Sequence, residues 1–345
     1  MFGMGPRRPS LIYSGGTLRH AQTGEVVRVW NSIARETFKP QEYEVALLMD
    51  DGTSAAVREN GSGLWLDERG AVTCLSDAPV PALPRFAGHP HAPLLRALHG
   101  ELLTNFAEAA HGGGPLPNRL VYDTPWLRDA AMVAFCLERT GNLTLLSDFV
   151  ADLARWEEPF DRNNGGHREP DNLGQVLTIL ALTGETAAHP LARKAIAAAE
   201  TCRQGDHIAG LSDFAPHPVY QTKWLKYGLR RIGLDDSRWH IPAVYDSYSA
   251  LFWMDYKNEH VSGTGFSERD KTLYPYLGWA EAHFHGALPK VIPTADDSPL
   301  TWEAEASQAN YAGMVAASPA LAAARTYAPH TWHAAKMFLA LLDLT

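Results

Sequence analysis

The segment between residues 122 and 130 carries an Arg-Asp pair and a tryptophan at the start of an apolar helix. Pro125 fits the first helical turn, where its missing N–H costs nothing, so the helix start itself needs no functional explanation. Arg128 and Asp129 can hydrogen-bond adjacent hydroxyls while Trp126 stacks on the C–H face of a sugar ring. A structural ion pair that ties the helix to a loop is the alternative.

A second group of polar side chains precedes and opens the next apolar helix. Glu169 and Asp171 flank Pro170, and Asn172 and Gln175 follow. Carboxylates at a helix N-terminus are stabilised by the helix dipole, so capping alone accounts for Asp171. Glu169 lies just outside the predicted helix, where it can reach a cavity. We therefore predict Glu169 as a general acid and the other three polar residues as substrate contacts.

A third acidic segment surrounds residue 303. Glu303 and Glu305 are two residues apart, so a helix would direct one toward a cavity and the other toward solvent. Trp302 is placed to stack on a substrate beside Glu303. A helix made soluble by surface charge is the alternative. We predict Glu303 as the general base, with Trp302 and Glu305 in contact with substrate.

Aromatic and polar side chains are dense in two further segments, at residues 214–227 and 245–253. Tyrosine and tryptophan combine an apolar ring with a polar tip, which suits a sugar-binding groove. About half of these side chains are expected in the core or at its rim. A lysine among them would suit an anionic sugar. The candidate groove residues are Tyr220, Lys223, Trp224, Asp246, Tyr248 and Trp253.

Composition limits the class of protein. The chain has 345 residues, a net charge of −9 and 46% hydrophobic residues, as expected of a packed globular protein. The acidic balance argues against nucleic-acid binding, because phosphate recognition needs a concentrated basic surface. No apolar run reaches about 18 residues, so no membrane span is expected. Three distant cysteines and an N-terminus unlike a secretory signal predict a cytoplasmic location.

Metals and cofactors are not expected. Asp161, Asn163 and Gly166 occupy the first, third and sixth positions of a calcium loop, but Asn172 replaces the glutamate required at the twelfth. The histidines show no HExxH spacing, and there is no cysteine-rich zinc pattern. Carbohydrate is therefore the partner that the sequence predicts, and the oligomeric state, a homo-oligomer included, stays open.

Two regions of different patterning divide the chain. Residues 1–85 contain short β-type runs separated by Gly and Asp turn signals, which predicts antiparallel strands. Helical periodicity begins near His91 and recurs in ten segments. We therefore predict an N-terminal β region at residues 1–85 and a helical catalytic domain at residues 86–345.

Two of the predicted helices share their start and stop signals. Residues 125–141 and 170–184 each begin with Pro and end with Thr-Gly, and their starts lie 45 residues apart. A repeated pair of helices explains this spacing, and residues 86–345 are long enough for about six pairs. The sequence thus predicts a mainly α fold, an (α/α)6 barrel of six helical hairpins with a small N-terminal antiparallel β region.

Two short motifs resemble glucoamylase-type enzymes of the six-hairpin glycosidase superfamily. The Trp-x-Arg-Asp string at residues 126–129 is similar to the one that begins an inner helix of those enzymes. Residues 298–306 are similar to their late segment that carries the general base. The resemblance implies that Arg128 and Asp129 bind the sugar in the cleavage subsite.

These features predict a glycoside hydrolase that acts on an oligosaccharide. Two carboxylates would flank the glycosidic bond, one protonating the leaving oxygen and the other activating water or attacking carbon. Glu169 is the predicted acid and Glu303 the predicted base. Asp129 and Asp246 are alternatives for the acid.

Two other functions stay open at this point. A sugar epimerase or polysaccharide lyase built on the same barrel would use histidines such as His217, His283 or His285 as acid–base groups. A non-catalytic carbohydrate-binding protein would bind sugars without turnover.

Overall fold

The computed structural model describes residues 1–78, 81–160, 168–213, 215–244, 246, 248, 252 and 330–343. The chain forms two compact units. The first contains Met1–Pro125, Arg139–Leu145 and the C-terminal helix, and the second contains Trp126–Glu138 and the described residues from 146 to 252. No helix in this part of the chain has the length and apolar character needed to cross a membrane.

Eight strands within residues 1–78 begin the first unit. They are β1 (Leu11–Ser14), β2 (Thr17–His20), β3 (Val26–Val29), β4 (Ile33–Lys39), β5 (Glu44–Met49), β6 (Ser54–Asn60), β7 (Gly63–Glu68) and β8 (Ala71–Ser76). They pair antiparallel in chain order, as a three-stranded sheet β1–β3 and a five-stranded sheet β4–β8. Gly15 and Gly16 connect β1 to β2 with φ angles of 49° and 75°, as a two-residue hairpin turn requires.

Side chains from both sheets share one apolar core. In β6, Ala55, Val57 and Glu59 are buried while the residues between them are not, which is the period-two pattern of a half-buried strand. The buried Glu59 carboxylate is paired with Arg8 at 2.8 Å. The predicted N-terminal antiparallel β region is therefore confirmed. Its core includes Leu11, Leu18, Trp30, Val45, Leu47, Val57, Leu64 and Leu66.

Seven α-helices lie in the described residues, and each overlaps a helix predicted from the sequence. Three other predicted helices, at residues 245–256, 273–286 and 302–316, lie outside the described residues apart from isolated positions. The observed helices are α1 (Ala92–Thr104), α2 (Leu127–Thr140), α3 (Ser147–Arg155), α4 (Asp171–Leu182), α5 (Pro190–Thr201), α6 (Pro218–Arg231) and α7 (Thr331–Leu342).

The prediction of a mainly α (α/α)6 barrel is wrong. The fold mixes helices with antiparallel sheets, and the described residues hold fewer helices than the two per hairpin that six hairpins require. Between α5 and α6 the chain forms two short hairpins instead, β9 (Arg203–Gln204) with β10 (His207–Ile208) and β11 (Leu211–Ser212) with β12 (Ala215–Pro216). The similarity of α2 and α4 therefore does not extend into a repeat.

The physical reason is that helix start and stop signals are local. Proline at the first turn and glycine after the last one satisfy the backbone at each end, but they do not specify which element the helix packs against. The resemblance to glucoamylase-type six-hairpin enzymes is overturned with the barrel, because it depends on two short motifs and on the hairpin count.

Helices α4 and α6 of the second unit pack with their backbones in contact. A Cβ atom at Gly174 would lie 2.1 Å from the carbonyl carbon of Trp224, and one at Gly228 would lie 2.5 Å from the carbonyl oxygen of Gly174. Any side chain at these positions would force the helices apart. This close contact sets the distance between the polar residues that begin α4 and those that begin α6.

Replacing Gly174 by alanine tests this contact. Gly174→Ala is expected to lower the free energy of unfolding by at least about 1–3 kcal/mol, the usual cost of overpacking, because the obstructing atoms belong to backbone. Denaturant unfolding measures the difference. Gly61→Ala is the matched control, since a Cβ there meets no atom within 4 Å and Gly61 has no left-handed φ. An unchanged midpoint for Gly174→Ala would contradict the close contact.

Candidate functional site

Three carboxylates converge on the guanidinium of Arg128 in the second unit. Its Nε donates to Asp171 Oδ2 at 3.1 Å, and its Nη1 donates to both oxygens of Asp213 at 2.9 and 3.0 Å. Its Nη2 lies 3.5 Å from Glu169 Oε2. We call Arg128, Glu169, Asp171 and Asp213 the Arg128 cluster.

The ends of helices and strands bring the Arg128 cluster together. Arg128 lies in the first turn of α2, Asp171 is the first residue of α4, and Glu169 precedes Asp171 by two residues. The N-terminus of a helix carries a partial positive charge, which favours carboxylates at the start of α4. Asp213 comes from a different kind of element, because it directly follows the two-residue strand β11.

The backbone of Asp213 has an unusual conformation. Its φ is 55°, in the left-handed region that non-glycine residues adopt only at a cost in free energy. The Asp213 N–H donates to Glu169 Oε1 at 2.7 Å. The hydroxyl of the preceding Ser212 donates to Asp171 and accepts from Gln221 Nε2 at 2.8 Å. These contacts hold the turn in place and direct the Asp213 carboxylate at Arg128.

A second hydrogen-bonded group adjoins Asp213. The Tyr248 hydroxyl donates to Asp213 Oδ2 at 2.8 Å, and its ring stacks on His217 with 3.6 Å between the ring centroids. His217 Nδ1 lies 2.9 Å from Asp246 Oδ1. The backbone N–H groups of Tyr220 and Tyr248 also donate to Asp246, at 2.9 and 2.8 Å. The buried Asp246 carboxylate thus anchors both the histidine and the tyrosine.

The surroundings shift the pKa values of Glu169 and Asp213 in opposite directions. Burial raises the pKa of Glu169 to about 7, and the negative charges of Asp171 and Asp213 offset part of the lowering by Arg128. Burial also raises the pKa of Asp213, but Arg128 and the Tyr248 hydroxyl lower it by more, so it ends below its usual range. Near neutral pH, one carboxyl group can donate a proton while the other is ionised.

Asp213 is the cluster member most open to solvent. Its side chain is 25% exposed, whereas those of Arg128 and Glu169 are 9% and 3% exposed. A ligand that reaches the cluster therefore has its widest access at Asp213.

The guanidinium of Arg128 stays charged. Burial lowers the pKa of Arg128, but the three carboxylates raise it by more.

No family model, no curated protein and no solved structure matches this chain. In the part of the chain that the structure describes, no group of three or more His, Cys, Asp and Glu side chains could hold a metal ion. The chemistry of the Arg128 cluster is therefore the basis on which a function can be inferred.

The structure brings a set of the predicted site residues together in and beside the Arg128 cluster. Gln175 Nε2 donates to Asp171 Oδ2 at 2.9 Å and lies 3.5 Å from the Tyr220 hydroxyl. Tyr220 in turn lies edge-on to Tyr248, with 5.8 Å between the ring centroids. The predicted residues gathered here are Arg128, Glu169, Asp171, Gln175, Tyr220, Asp246 and Tyr248.

The other described candidates also lie in the second unit. Trp224 is fully buried and stacks on Phe252 with 4.0 Å between the ring centroids, so it is part of the core. Asn172 Nδ2 donates to a backbone carbonyl, that of Phe160, at 3.3 Å. The remaining candidates are Trp126, which is half-buried ahead of α2, and Asp129 and Lys223, which are buried in α2 and α6.

Four predicted site residues lie outside the described residues: Trp253, Trp302, Glu303 and Glu305. The predicted general base, Glu303, is among them. His283 and His285, which belong to the alternative functions, also lie outside. The roles of all six stay predictions.

Asp213 is the cluster member that the sequence patterns do not reveal. It lies between strands of two residues each, which are too short to show a periodic pattern. An aspartate between short segments is a turn signal, and that signal is available from sequence. The contact between this turn and Arg128 is not, because it depends on how α2, α4 and α6 pack.

Proposed function

We propose that this protein is a glycoside hydrolase in which Glu169 is the general acid and Asp213 is the base or nucleophile. The observation that carries the proposal is the convergence of two carboxyl groups on the Arg128 guanidinium, Asp213 at 2.9 Å and Glu169 at 3.5 Å, and their pKa values are shifted in opposite directions. Glycosidases need one protonated and one ionised carboxyl group at the glycosidic bond. Asp213 here takes the role that the sequence predicts for Glu303.

Hydrolysis requires a proton at the leaving oxygen and an electron pair at the anomeric carbon. Glu169 gives its proton to the glycosidic oxygen as the C–O bond breaks and its electron pair moves to that oxygen. Asp213 either accepts a proton from the water that attacks the carbon, or attacks the carbon itself and is released by water. Each cycle consumes one water, and proton exchange restores both carboxyl groups.

Arg128 contributes to the difference in pKa between Glu169 and Asp213. Its Nη1 donates to both oxygens of Asp213 at short distance, which stabilises the ionised form. Its contact with Glu169 is longer, at 3.5 Å, so Glu169 receives less of this stabilisation. One cation can therefore keep Asp213 ionised and leave Glu169 able to hold a proton.

The charge of the region favours a neutral sugar. Within the described residues, three carboxyl groups surround the Arg128 guanidinium, and Asp246 beside His217 adds a fourth, so a uronic acid would meet net repulsion. The lysine candidate for an anionic sugar, Lys223, is fully buried. Support for a carbohydrate comes from the half-buried Trp126 two residues before Arg128 and from the hydroxyl-binding capacity of Arg and Asp side chains.

A glycan screen tests the proposal. Reducing-sugar release is measured on a panel of neutral oligosaccharides and aryl glycosides, and wild type is expected to turn over at least one of them. The double variant Glu169→Gln/Asp213→Asn is expected to abolish turnover, whereas Glu185→Gln, which changes an exposed carboxylate after α4, keeps it. Binding of glycans by calorimetry without turnover by wild type would instead identify a carbohydrate-binding protein.

The His217–Asp246 pair favours a second candidate function, a sugar epimerase or polysaccharide lyase. A carboxylate bound to Nδ1 orients an imidazole for proton abstraction, and a neighbouring tyrosine can supply a proton. Such an enzyme would lose its activity in His217→Asn. It would yield an epimer or an unsaturated sugar, and no hydrolysis product.

A further inference from the structure

The ring of Tyr248 contacts two other rings, in addition to the hydrogen bond between its hydroxyl and Asp213. It lies parallel to the imidazole of His217, with 4° between the planes, and edge-on to the ring of Tyr220, at 88°. The backbone N–H of Tyr248 donates to Asp246 Oδ1 at 2.8 Å. These contacts leave the hydroxyl directed at Asp213 Oδ2, 2.8 Å away.

The position of His217 is itself determined by the fold. It is the residue immediately before α6, it is 5% exposed, and its Nδ1 is bound to the buried Asp246 carboxylate. Rotating the imidazole would break that hydrogen bond between two buried side chains, which costs free energy. The start of α6 therefore fixes His217, and His217 fixes the plane of the Tyr248 ring.

Arg128 and Tyr248 contact Asp213 in different ways. Arg128 Nη1 is nearly equidistant from the two carboxylate oxygens, at 2.9 and 3.0 Å, so it does not distinguish between them. The Tyr248 hydroxyl is bound to Oδ2. This contact holds Oδ2 in place and limits rotation of the carboxylate about its bond to the chain.

We propose that Tyr248 is a positioning residue for Asp213, and that the His217–Asp246 pair holds Tyr248 in the orientation this requires. The consequence for catalysis rests on the proposed function, in which Asp213 is the base or nucleophile. The consequence for the Asp213 carboxylate itself does not depend on any activity.

Removal of the Tyr248 hydroxyl changes the electrostatic balance at Asp213. Burial raises the pKa of Asp213, whereas Arg128, the Tyr248 hydroxyl and His217 lower it. Loss of one lowering contact therefore favours the protonated form. Among the described residues, the groups that interact with Asp213 are Arg128 from α2, Glu169 from the residues before α4, His217 from the start of α6, and Tyr248. Asp171 acts on it through their shared partner Arg128.

A carbon-detected NMR titration of the Asp213 carboxyl, assigned with Asp213→Asn, tests the proposal without an activity assay. Tyr248→Phe is expected to raise the Asp213 pKa by about one unit, a tenfold change in the protonation equilibrium. Tyr13→Phe is the matched control, because its hydroxyl donates to the Glu36 carboxylate in the first unit. An unchanged Asp213 pKa in a folded Tyr248→Phe protein would overturn the proposal.

The pH profile of kcat/KM provides the second readout. In Tyr248→Phe its acid limb is expected to move upward by the same amount as the Asp213 pKa, with little change in KM. If the NMR shift occurs but wild type hydrolyses no glycan, the proposed function fails and the positioning role stands. If wild type hydrolyses a glycan but neither the NMR pKa nor the acid limb moves, the positioning role fails and the proposed function stands.

A pair of His217 variants tests the stacking contact and covers the case in which Tyr248→Phe does not fold. His217→Ala removes the ring beneath Tyr248, whereas His217→Phe keeps an aromatic ring there and loses the bond to Asp246. We expect kcat/KM to fall about tenfold in His217→Ala and to recover only in part in His217→Phe, which restores the ring beneath Tyr248 but not its bond to Asp246. Equal losses in the two variants would overturn the positioning role and favour His217 as an acid–base group.

Discussion

Glu169→Gln is expected to lower kcat/KM for glycoside hydrolysis by about 10²–10⁴-fold, the usual contribution of a general acid. Glutamine keeps the size of the side chain and can still accept the N–H of Asp213, but it has no proton to give to the leaving oxygen. The loss should be smaller for substrates whose leaving group is a good one, such as an aryl glycoside, because they need less protonation.

The pH dependence of wild-type activity is an independent test of Glu169 as the general acid. Because Glu169 must be protonated to act as an acid and its pKa is raised to about 7, activity should fall as the pH rises through about 7. Glu169→Gln should lack this alkaline limb, and the control Glu185→Gln should retain it. Full activity of Glu169→Gln, or an alkaline limb that survives in its residual activity, would contradict the assignment.

The pH dependence of the free energy of unfolding distinguishes a catalytic loss from a folding defect. The folded-state pKa of Glu169 lies above its ordinary value of 4.5, so its contribution to stability is present below about pH 4.5 and is lost as the pH rises to about 7. Glutamine does not titrate. Glu169→Gln should therefore lose less stability than wild type over this range, as measured by denaturant unfolding at several pH values.

Arg128→Leu is expected to lower the free energy of unfolding by about 3–5 kcal/mol, the usual result of removing one partner from a buried ion pair. Asp171 and Glu169 would be left as buried carboxyl groups without the cation that faces them. Arg128→Lys should also be destabilising, because an ammonium cannot reproduce contacts made by Nε, Nη1 and Nη2 together.

A partial rescue shows whether unpaired charge causes this loss. Adding Asp171→Asn and Asp213→Asn to Arg128→Leu should recover part of the lost stability, because the neutral amides need no cation. Arg231→Leu is the control: its exposed pair with Glu138, at 3.1 Å, should contribute no more than about 1 kcal/mol. A loss in Arg128→Leu as small as that in the control would show that the cluster is not held by Arg128.

Much of the local structure was predictable because local signals determine it. The β-type runs at residues 11–13, 26–30, 43–49, 64–66 and 72–75 all overlap strands, with Trp30 and Tyr43 just outside them. The apolar body of α2 is buried as its pattern indicates. Strands β2, β4 and β6 were not predicted, since charged and polar residues interrupt them. Apolar periodicity and turn residues act within a few positions of one another, so they can be recognised without knowledge of the fold.

The candidate site was predictable only in part. Arg128, Glu169 and Asp171 stand out because each lies at the start of an apolar helix, where a charged residue needs an explanation. Asp213 does not, since its turn meets Arg128 only after α4 and α6 pack at Gly174 and Gly228. The stacking of Tyr248 on His217 depends in the same way on residues brought together by folding.

The sequence by itself determined the N-terminal β region, the positions of the seven helices that the structure describes, and the charged residues at the starts of α2 and α4. The tertiary structure alone decided that the helices do not close into six hairpins, that Trp224 lies in the core, and that Asp213 joins Glu169 at Arg128. The physical reason is the distance along the chain over which each kind of signal acts. Helix and strand signals come from backbone groups a few residues apart, whereas an acid–base pair depends on burial and charge contributed by distant segments.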